Sequence, residues 1–281
     1  MTIETSQEAI NPKPFLRWAG GKRWFIKYLD KLDSLEINTY YEPFLGGASV
    51  FFSINNYKDA LISDLNPDLI ETYEALRDCP SQIISILKDL NNTEEEYYKI
   101  RAIKFESKIE RAAQFIYLNQ TSFNGIYRVN RNGIFNVPYG KRNKKDIVEE
   151  SNLLLVSEKL KSIQIKCQDF ENLLPSIKKG DLIFLDPPYT VAHENNGFIQ
   201  YNQKIFSLED QYRLAQFIEQ IIDKQANYIL TNAKHDAILD IYKKMGKPVS
   251  LTRSSTVGGS GARRGKNGFN EYIYSNCLKF K

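Results

Sequence analysis

Asp186-Pro187-Pro188-Tyr189 sets a carboxylate and an aromatic ring on either side of two residues that have no N–H to donate. Each proline fixes its own φ and restrains the residue before it, so the turn is rigid and rich in acceptors. Acceptors held this way suit an amino group that must donate two hydrogen bonds, and Tyr189 offers a flat face on which an aromatic ring can stack. An ordinary strand-ending Asp-Pro turn has the same spelling. Phe44-Leu45-Gly46-Gly47-Ala48-Ser49 is a second candidate, because small residues let backbone approach a ligand closely. It is not G-x-G-x-x-G. Asp64 follows Gly46 by 18 residues, near the ~20 at which an acidic side chain meets ribose hydroxyls. Asp64 and Asn66 before Pro67 also read as the start of a helix.

Phe15-Leu16-Arg17-Trp18-Ala19-Gly20-Gly21-Lys22 sets an aromatic wall and a cation beside two glycines. A phosphate loop is excluded, since Leu16 stands where its first glycine belongs and Arg23 follows Lys22. From Asn119 to Gly133 aromatic, Asn and Arg residues alternate, including Phe123, Asn124 and Arg128. The chain then runs through Pro138 to Lys141-Arg142-Asn143-Lys144-Lys145. Arg and Asn read base edges, aromatics stack, and lysines hold phosphates, so DNA contact is favoured over a merely solvated loop. Arg253, Arg263, Arg264 and Lys266 form a second basic stretch.

The elements that must position these groups are apolar strands ending in polar residues: Thr39–Pro43, Ala60–Asp64, Asp181–Asp186 and Tyr228–Asn232. Such runs belong to parallel sheets covered on both faces. Helical patterns over Ser49–Asn55 and Leu208–Lys224 alternate with them, which predicts a doubly wound α/β fold with a mostly parallel sheet. From Leu69 to Tyr117 the pattern is helical without a strand. Residues 69–145 therefore read as a mainly helical insertion in a catalytic domain made of 1–68 and 146–281.

The 281 residues are 42% hydrophobic and 26% charged, which excludes a disordered chain and a disulfide-stapled scaffold. A net charge of +4 permits nucleic-acid binding without arguing for it. Cys79, Cys167 and Cys277 form no pair, and neither His193 nor His235 sits in a nucleophile–base arrangement, so no metal site is expected. No signal peptide and no run of ~20 apolar residues is present, and a cytoplasmic protein is expected.

Together these residues resemble the DNA adenine-N6 methyltransferases of the Dam type, including restriction-system members. F-L-R-W-A-G-G-K, E-P-F-L-G-G-A-S-V-F, D-L-N, N-G-x-x-R, F-N-V-P-Y-G and D-P-P-Y occur in the family's order over nearly the whole chain. That order resembles the α class of amino-methyltransferases. The resemblance implies a Rossmann-like fold dependent on S-adenosyl-L-methionine, with 69–145 as the DNA-recognition subdomain. It implies that Trp18, Lys22, Asp64 and Asp186 line the cofactor site, with Phe44 packing beside it and Asp169 and Phe170 holding its adenine. Asp186, Pro187, Pro188 and Tyr189 are the expected catalytic turn. Phe123 takes the strand-inserting position, Arg128 and Pro138 lie near the recognised bases, and Arg17 stands beside the target adenine where relatives often carry Lys. The expected partner is double-stranded DNA with GATC-type sites, alongside a possible cognate restriction endonuclease. Thr231-Asn232-Ala233-Lys234 departs from the family's Ser-Asn-x-Asp, and Phe123 lacks the hydroxyl that some relatives carry there. Methylation of RNA or of protein glutamine, and a non-catalytic DNA-binding regulator, are the competing readings.

Overall fold

A computed structural model describes residues 11–130, 132–141, 146–190, 206–253 and 269–280. Seven strands form one sheet: β1 (Ile37–Glu42), β2 (Tyr57–Asp64), β3 (Gln164–Cys167), β4 (Leu182–Leu185), β5 (Asn227–Ala233), β6 (Val249–Arg253) and β7 (Phe269–Ser275). Their order is β3-β2-β1-β4-β5-β7-β6. The first five run parallel, while β7 is antiparallel to both of its neighbours. The expected doubly wound, mostly parallel sheet is present, closed on one side by an antiparallel pair.

Side chains on a strand alternate between faces, and both faces of this sheet are covered. Tyr40, Ala60, Ile62, Leu182 and Phe184 enter one apolar cluster. Tyr41, Leu61, Ile183, Leu185, Tyr228 and Leu230 enter the other. That is why the strands read as continuous apolar runs. Five helices cover the first face: α1 (Pro67–Asp78), α2 (Pro80–Asp89), α3 (Glu94–Ala102), α4 (Lys108–Thr121) and α5 (Glu150–Leu160). The second face packs against α6 (Leu208–Asp223) and α7 (Asp236–Ile241). Asn66 caps α1, its Oδ1 accepting from the Asp68 and Leu69 N–H groups, with Pro67 at the first helical position. Leu69 and Tyr73 of α1 and Ile116 and Tyr117 of α4 share the apolar cluster of β1 and β2.

One local expectation is corrected. Ser49–Asn55 is a series of turns, not a helix. Ala48 takes φ +54°, and Val50, Phe51, Phe52 and Ile54 are all buried, so the run has no polar stripe to turn toward water. The stretch after α4 is folded back on itself by antiparallel bridges between Ser122 and Tyr139 and between Val129 and Phe135, so it is less irregular than its composition suggests. Among the described residues no helix is long and apolar enough to cross a membrane, and no His/Cys/Asp/Glu cluster could hold a metal ion.

Candidate active site at the carboxyl edge of the sheet

Strand order reverses between β1 and β4, and in open α/β sheets the crevice at such a reversal, beyond the carboxyl ends of the strands, is where ligands bind. The register sets Glu42 beside Ile62 and Tyr41 beside Ile183. Asp64 and Asp186 therefore both emerge at that edge, on strands that flank β1 and stand two spacings, or ~10 Å, apart.

Asp186 is held from two sides. Its Oδ1 accepts from the Lys22 ammonium at 2.7 Å and from the Thr231 hydroxyl at 2.7 Å. Thr231 arrives there because Leu230 is the register partner of Leu185, so the next residue of β5 lies beside Asp186 as the chain leaves β4. Lys22 is only 3% exposed. It also donates to the Gly20 carbonyl at 2.9 Å, lies 3.6 Å from Glu271 Oε2, and sits 5.0 Å from the centre of the Tyr189 ring. Burial pushes the Asp186 carboxyl above the ordinary carboxylate range; Lys22 opposes that rise and Glu271 adds to it. Pro187 is buried, while Pro188 and Tyr189 are half-buried at the crevice.

Asp64 ties down the glycine turn: Oδ2 accepts from the Gly46 N–H and Oδ1 from the Asn66 N–H, both at 3.0 Å. Burial raises its pKa, and these N–H donors pull it back. Asp64 itself is not the helix cap; that position belongs to Asn66. Gly46 takes φ +47° and passes so close to the Trp18 indole that a Cβ there would lie 2.6 Å from Cδ1. Trp18 in turn stacks on Tyr127, with ring centres 5.7 Å apart.

An aromatic group forms beyond β2. Phe44 packs on Phe170 at 5.6 Å and on Phe206 at 5.5 Å between ring centres. Asp169 precedes Phe170 and its Oδ1 accepts from the Arg213 guanidinium at 3.0 Å. The same guanidinium pairs with Glu171 and Asp210 and lies over the Phe170 ring.

The amino-terminal motif also reaches the 122–141 segment. The Arg17 N–H donates to Asn119 Oδ1 at 2.7 Å, the Asn119 amide returns a bond to the Arg17 carbonyl, and Gly125 leaves the space that the Arg17 side chain fills. Phe123 is 52% exposed, and Asn124, Arg128, Pro138 and Lys141 are exposed as well. Arg128 is steadied by Asn136, whose Oδ1 accepts from Nε at 2.8 Å. Arg142, Arg263, Arg264, Lys266 and His193 lie outside the described residues.

Thr231, Glu271, Arg213 and Phe206 are absent from the sequence-based set. Thr231 carries a signal, since it follows its apolar run as Asp186 follows its own. Glu271, at the register partner of Ala233, is a buried carboxylate on a strand that composition does not reveal.

A mixed seven-strand sheet of this order, with acidic residues at the carboxyl ends of β2 and β4, is consistent with a Rossmann-like methyltransferase fold. Residues 18–255 match the D12 class N6 adenine-specific DNA methyltransferase family, and the chain belongs to that family. It is 35% identical over 268 residues to the type II methyltransferase M1.LlaDCHI of Lactococcus lactis subsp. cremoris, covering 92% of this chain and 93% of that protein. It is also 35% identical over 243 residues to the type II methyltransferase M.MjaIII of Methanocaldococcus jannaschii, covering 79% and 84%. With the DNA adenine methylase of Escherichia coli K12 it shares 29% identity over 264 residues, covering 90% and 92%.

Proposed function

We propose that this adenine-specific DNA methyltransferase transfers a methyl group from S-adenosyl-L-methionine to N6 of an adenine flipped out of duplex DNA, within GATC-type sites. The observation that carries the reading is the double tether on Asp186 Oδ1 by Lys22 and Thr231. It engages one carboxylate oxygen and leaves Oδ2 outside the tether, so that Oδ2 and the Pro187 carbonyl would each accept one N6 hydrogen.

The residues fit the cofactor. Asp64 has lone pairs left for ribose hydroxyls, Phe44 keeps part of its face open, and a Cβ at Gly20 would meet open space. Trp18, Lys22, Asp64, Asp186, Phe44, Asp169 and Phe170 would hold it. When bound, S-adenosyl-L-methionine supplies an electrophilic methyl group on a sulfonium. Tyr189 stacks the target base, offsetting part of the few kcal/mol that extrusion from the duplex costs. Asp186 and Pro187 draw the amino nitrogen toward tetrahedral geometry, so that its lone pair can attack in line; positioning supplies much of the rate. The N6 proton is lost only after the nitrogen has become acidic, so no strong base is needed.

Residues 69–145 serve as the recognition part in this reading. Phe123 enters the strand, Asn124, Arg128 and Pro138 face bases, Arg17 lies beside the target adenine, and Lys141 and Arg142 meet phosphates. The type II names of two relatives support a restriction endonuclease acting on the same site as its partner, in the cytoplasm. Methyl transfer is measured on duplex DNA, RNA and a glutamine peptide, with wild type and Asp186→Ala. Transfer to adenine in duplex DNA alone, lost in the folded variant, is expected; retained transfer in Asp186→Ala sinks the assignment. Long-read sequencing of DNA from expressing cells reads the site, and modified adenines elsewhere with none in GATC overturn the site choice.

A further inference from the structure

Gln211 is a polar residue on the buried face of α6, among Leu214, Ala215, Phe217 and Ile218. A buried carboxamide is tolerated only when its bonds are made, and here both ends are satisfied. Oε1 accepts from Asn232 Nδ2 at 2.9 Å and from the Tyr242 hydroxyl at 2.6 Å. Nε2 donates to Thr190 Oγ1 at 3.0 Å, and that hydroxyl donates to the Phe206 carbonyl at 3.0 Å. The direction of the chain is fixed at its far end, because Asn232 Oδ1 accepts from the Ala233 N–H and so must present its amino group to Gln211. Asn232, Gln211, Thr190 and Tyr242 are all buried.

The two residues at the near end of this chain belong to different parts of the site. Thr190 directly follows Tyr189, whose ring is proposed to stack the target base. Phe206 packs against Phe44 and Phe170, the aromatic group proposed to flank the cofactor. The Thr190–Phe206 bond thus joins the base-holding turn to the cofactor wall, and Gln211 of α6, oriented by Asn232 of β5, fixes the direction of that bond. We propose that Gln211 and Thr190 are positioning residues for methyl transfer, keeping the Asp186–Tyr189 turn and the Phe44–Phe170–Phe206 group in one register so that amino nitrogen and methyl group meet in line. The proposal rests on the methyl-transfer reading above. It also gives Asn232 a role: it orients the Gln211 amide.

Thr190→Val keeps the shape of the side chain and removes both hydroxyl bonds, while Thr190→Ser restores them. Full-length wild type, both variants and Tyr242→Phe are compared by thermal melting, by single-turnover methyl transfer and by KM for cofactor and DNA. Fluorescence of duplex DNA with 2-aminopurine at the target adenine reports how the base is held. Misplacement of about 1 Å lowers rates by roughly 10²-fold, so Thr190→Val is expected to lose roughly 10–100-fold in the transfer step. Both KM values should stay within about threefold of wild type, and the 2-aminopurine signal should change. Thr190→Ser should recover most of the rate. Tyr242→Phe, which drops one of two donors to the same carbonyl, should lose less than Thr190→Val and still show its loss in kcat. If Thr190→Val does not fold, the kcat of Tyr242→Phe decides. An undiminished transfer rate in the folded variants, or a serine variant as slow as the valine one, overturns the inference while leaving methyl transfer standing. Absence of transfer by wild type overturns the reading beneath it and this inference together.

Discussion

The Lys22 ammonium lies 2.7 Å from Asp186 Oδ1, joining the amino-terminal motif to the end of β4 across 164 residues of sequence. A buried cation against a buried carboxylate favours the ionised acid, which in the proposed mechanism is the form that accepts the N6 hydrogens.

Lys22→Met should therefore move the acid limb of the pH–rate profile. Asp186 already titrates above the ordinary range, and Lys22 works against that rise. Without it the carboxyl needs a higher pH to ionise, so the limb shifts upward and activity near neutrality falls on the order of tenfold or more. Single-turnover rates across pH check this; an unmoved limb refutes the role given to Lys22.

Gly46→Ala should destabilise the fold. The position combines φ +47° with a Cβ site 2.6 Å from Trp18 Cδ1. Left-handed backbone strain plus overpacking corresponds to ~1–3 kcal/mol. Thermal unfolding reads the loss, and altered tryptophan fluorescence should accompany it as Trp18 shifts off Tyr127.

Glu42→Gln should flatten a pH dependence of stability. Burial pushes the Glu42 carboxyl from 4.5 to about 8, although the Tyr40 hydroxyl donates to it at 2.7 Å. A carboxyl raised in the folded state contributes stability that is present below its unfolded value and lost as pH rises through the folded one. The window is thus from about 4.5 to about 8. Lys159, which burial draws down to about 8, is held up by the Glu42 charge, so the difference between the two proteins reports Glu42 together with its coupling to Lys159. Denaturant melts at several pH values should show the variant gaining on wild type by on the order of a few kcal/mol toward pH 8.5.

Lys141→Ala and Arg128→Ala should separate phosphate from base contacts. Loss of one phosphate contact lowers the salt slope of DNA binding by about 1, uniformly across sequences. Loss of a base-reading arginine costs ~1–3 kcal/mol on the preferred site and relaxes discrimination there. Binding isotherms at several salt concentrations on cognate and altered duplexes distinguish the two; equal losses on every sequence for Arg128→Ala would remove it from the reading set.

The strands around the site were legible because both faces of the sheet are covered, so β1, β2, β4 and β5 appear as apolar runs ending in Glu42, Asp64, Asp186 and Asn232. The antiparallel pair was not. Phe269–Ser275 interleaves Asn270 and Glu271 with its aromatics, and neither it nor β6 makes the run that a parallel strand makes. Glu271 looks like a surface carboxylate until Lys22 is found beside it. Gln211 has the same history: as a polar position in α6 it is unremarked, and only the convergence of Asn232, Tyr242 and Thr190 gives its amide a purpose. Ser49–Asn55 misled in the other direction, since its small and apolar residues satisfy a helix on paper while its four large side chains are needed in the core.

The position of β7 between β5 and β6 constrains how the molecule comes into being. β6 bonds to β7 and not to β5, so it has no place in the sheet until residues made after it have arrived. On the ribosome the open edge of β5 must wait while roughly two to eight seconds of further synthesis, at ~5–20 residues per second, deliver β7. Exposed strand edges invite pairing with other chains. The same late strand brings Glu271 to Lys22, so the full charge set around Asp186 is completed only with the last strand of the sheet.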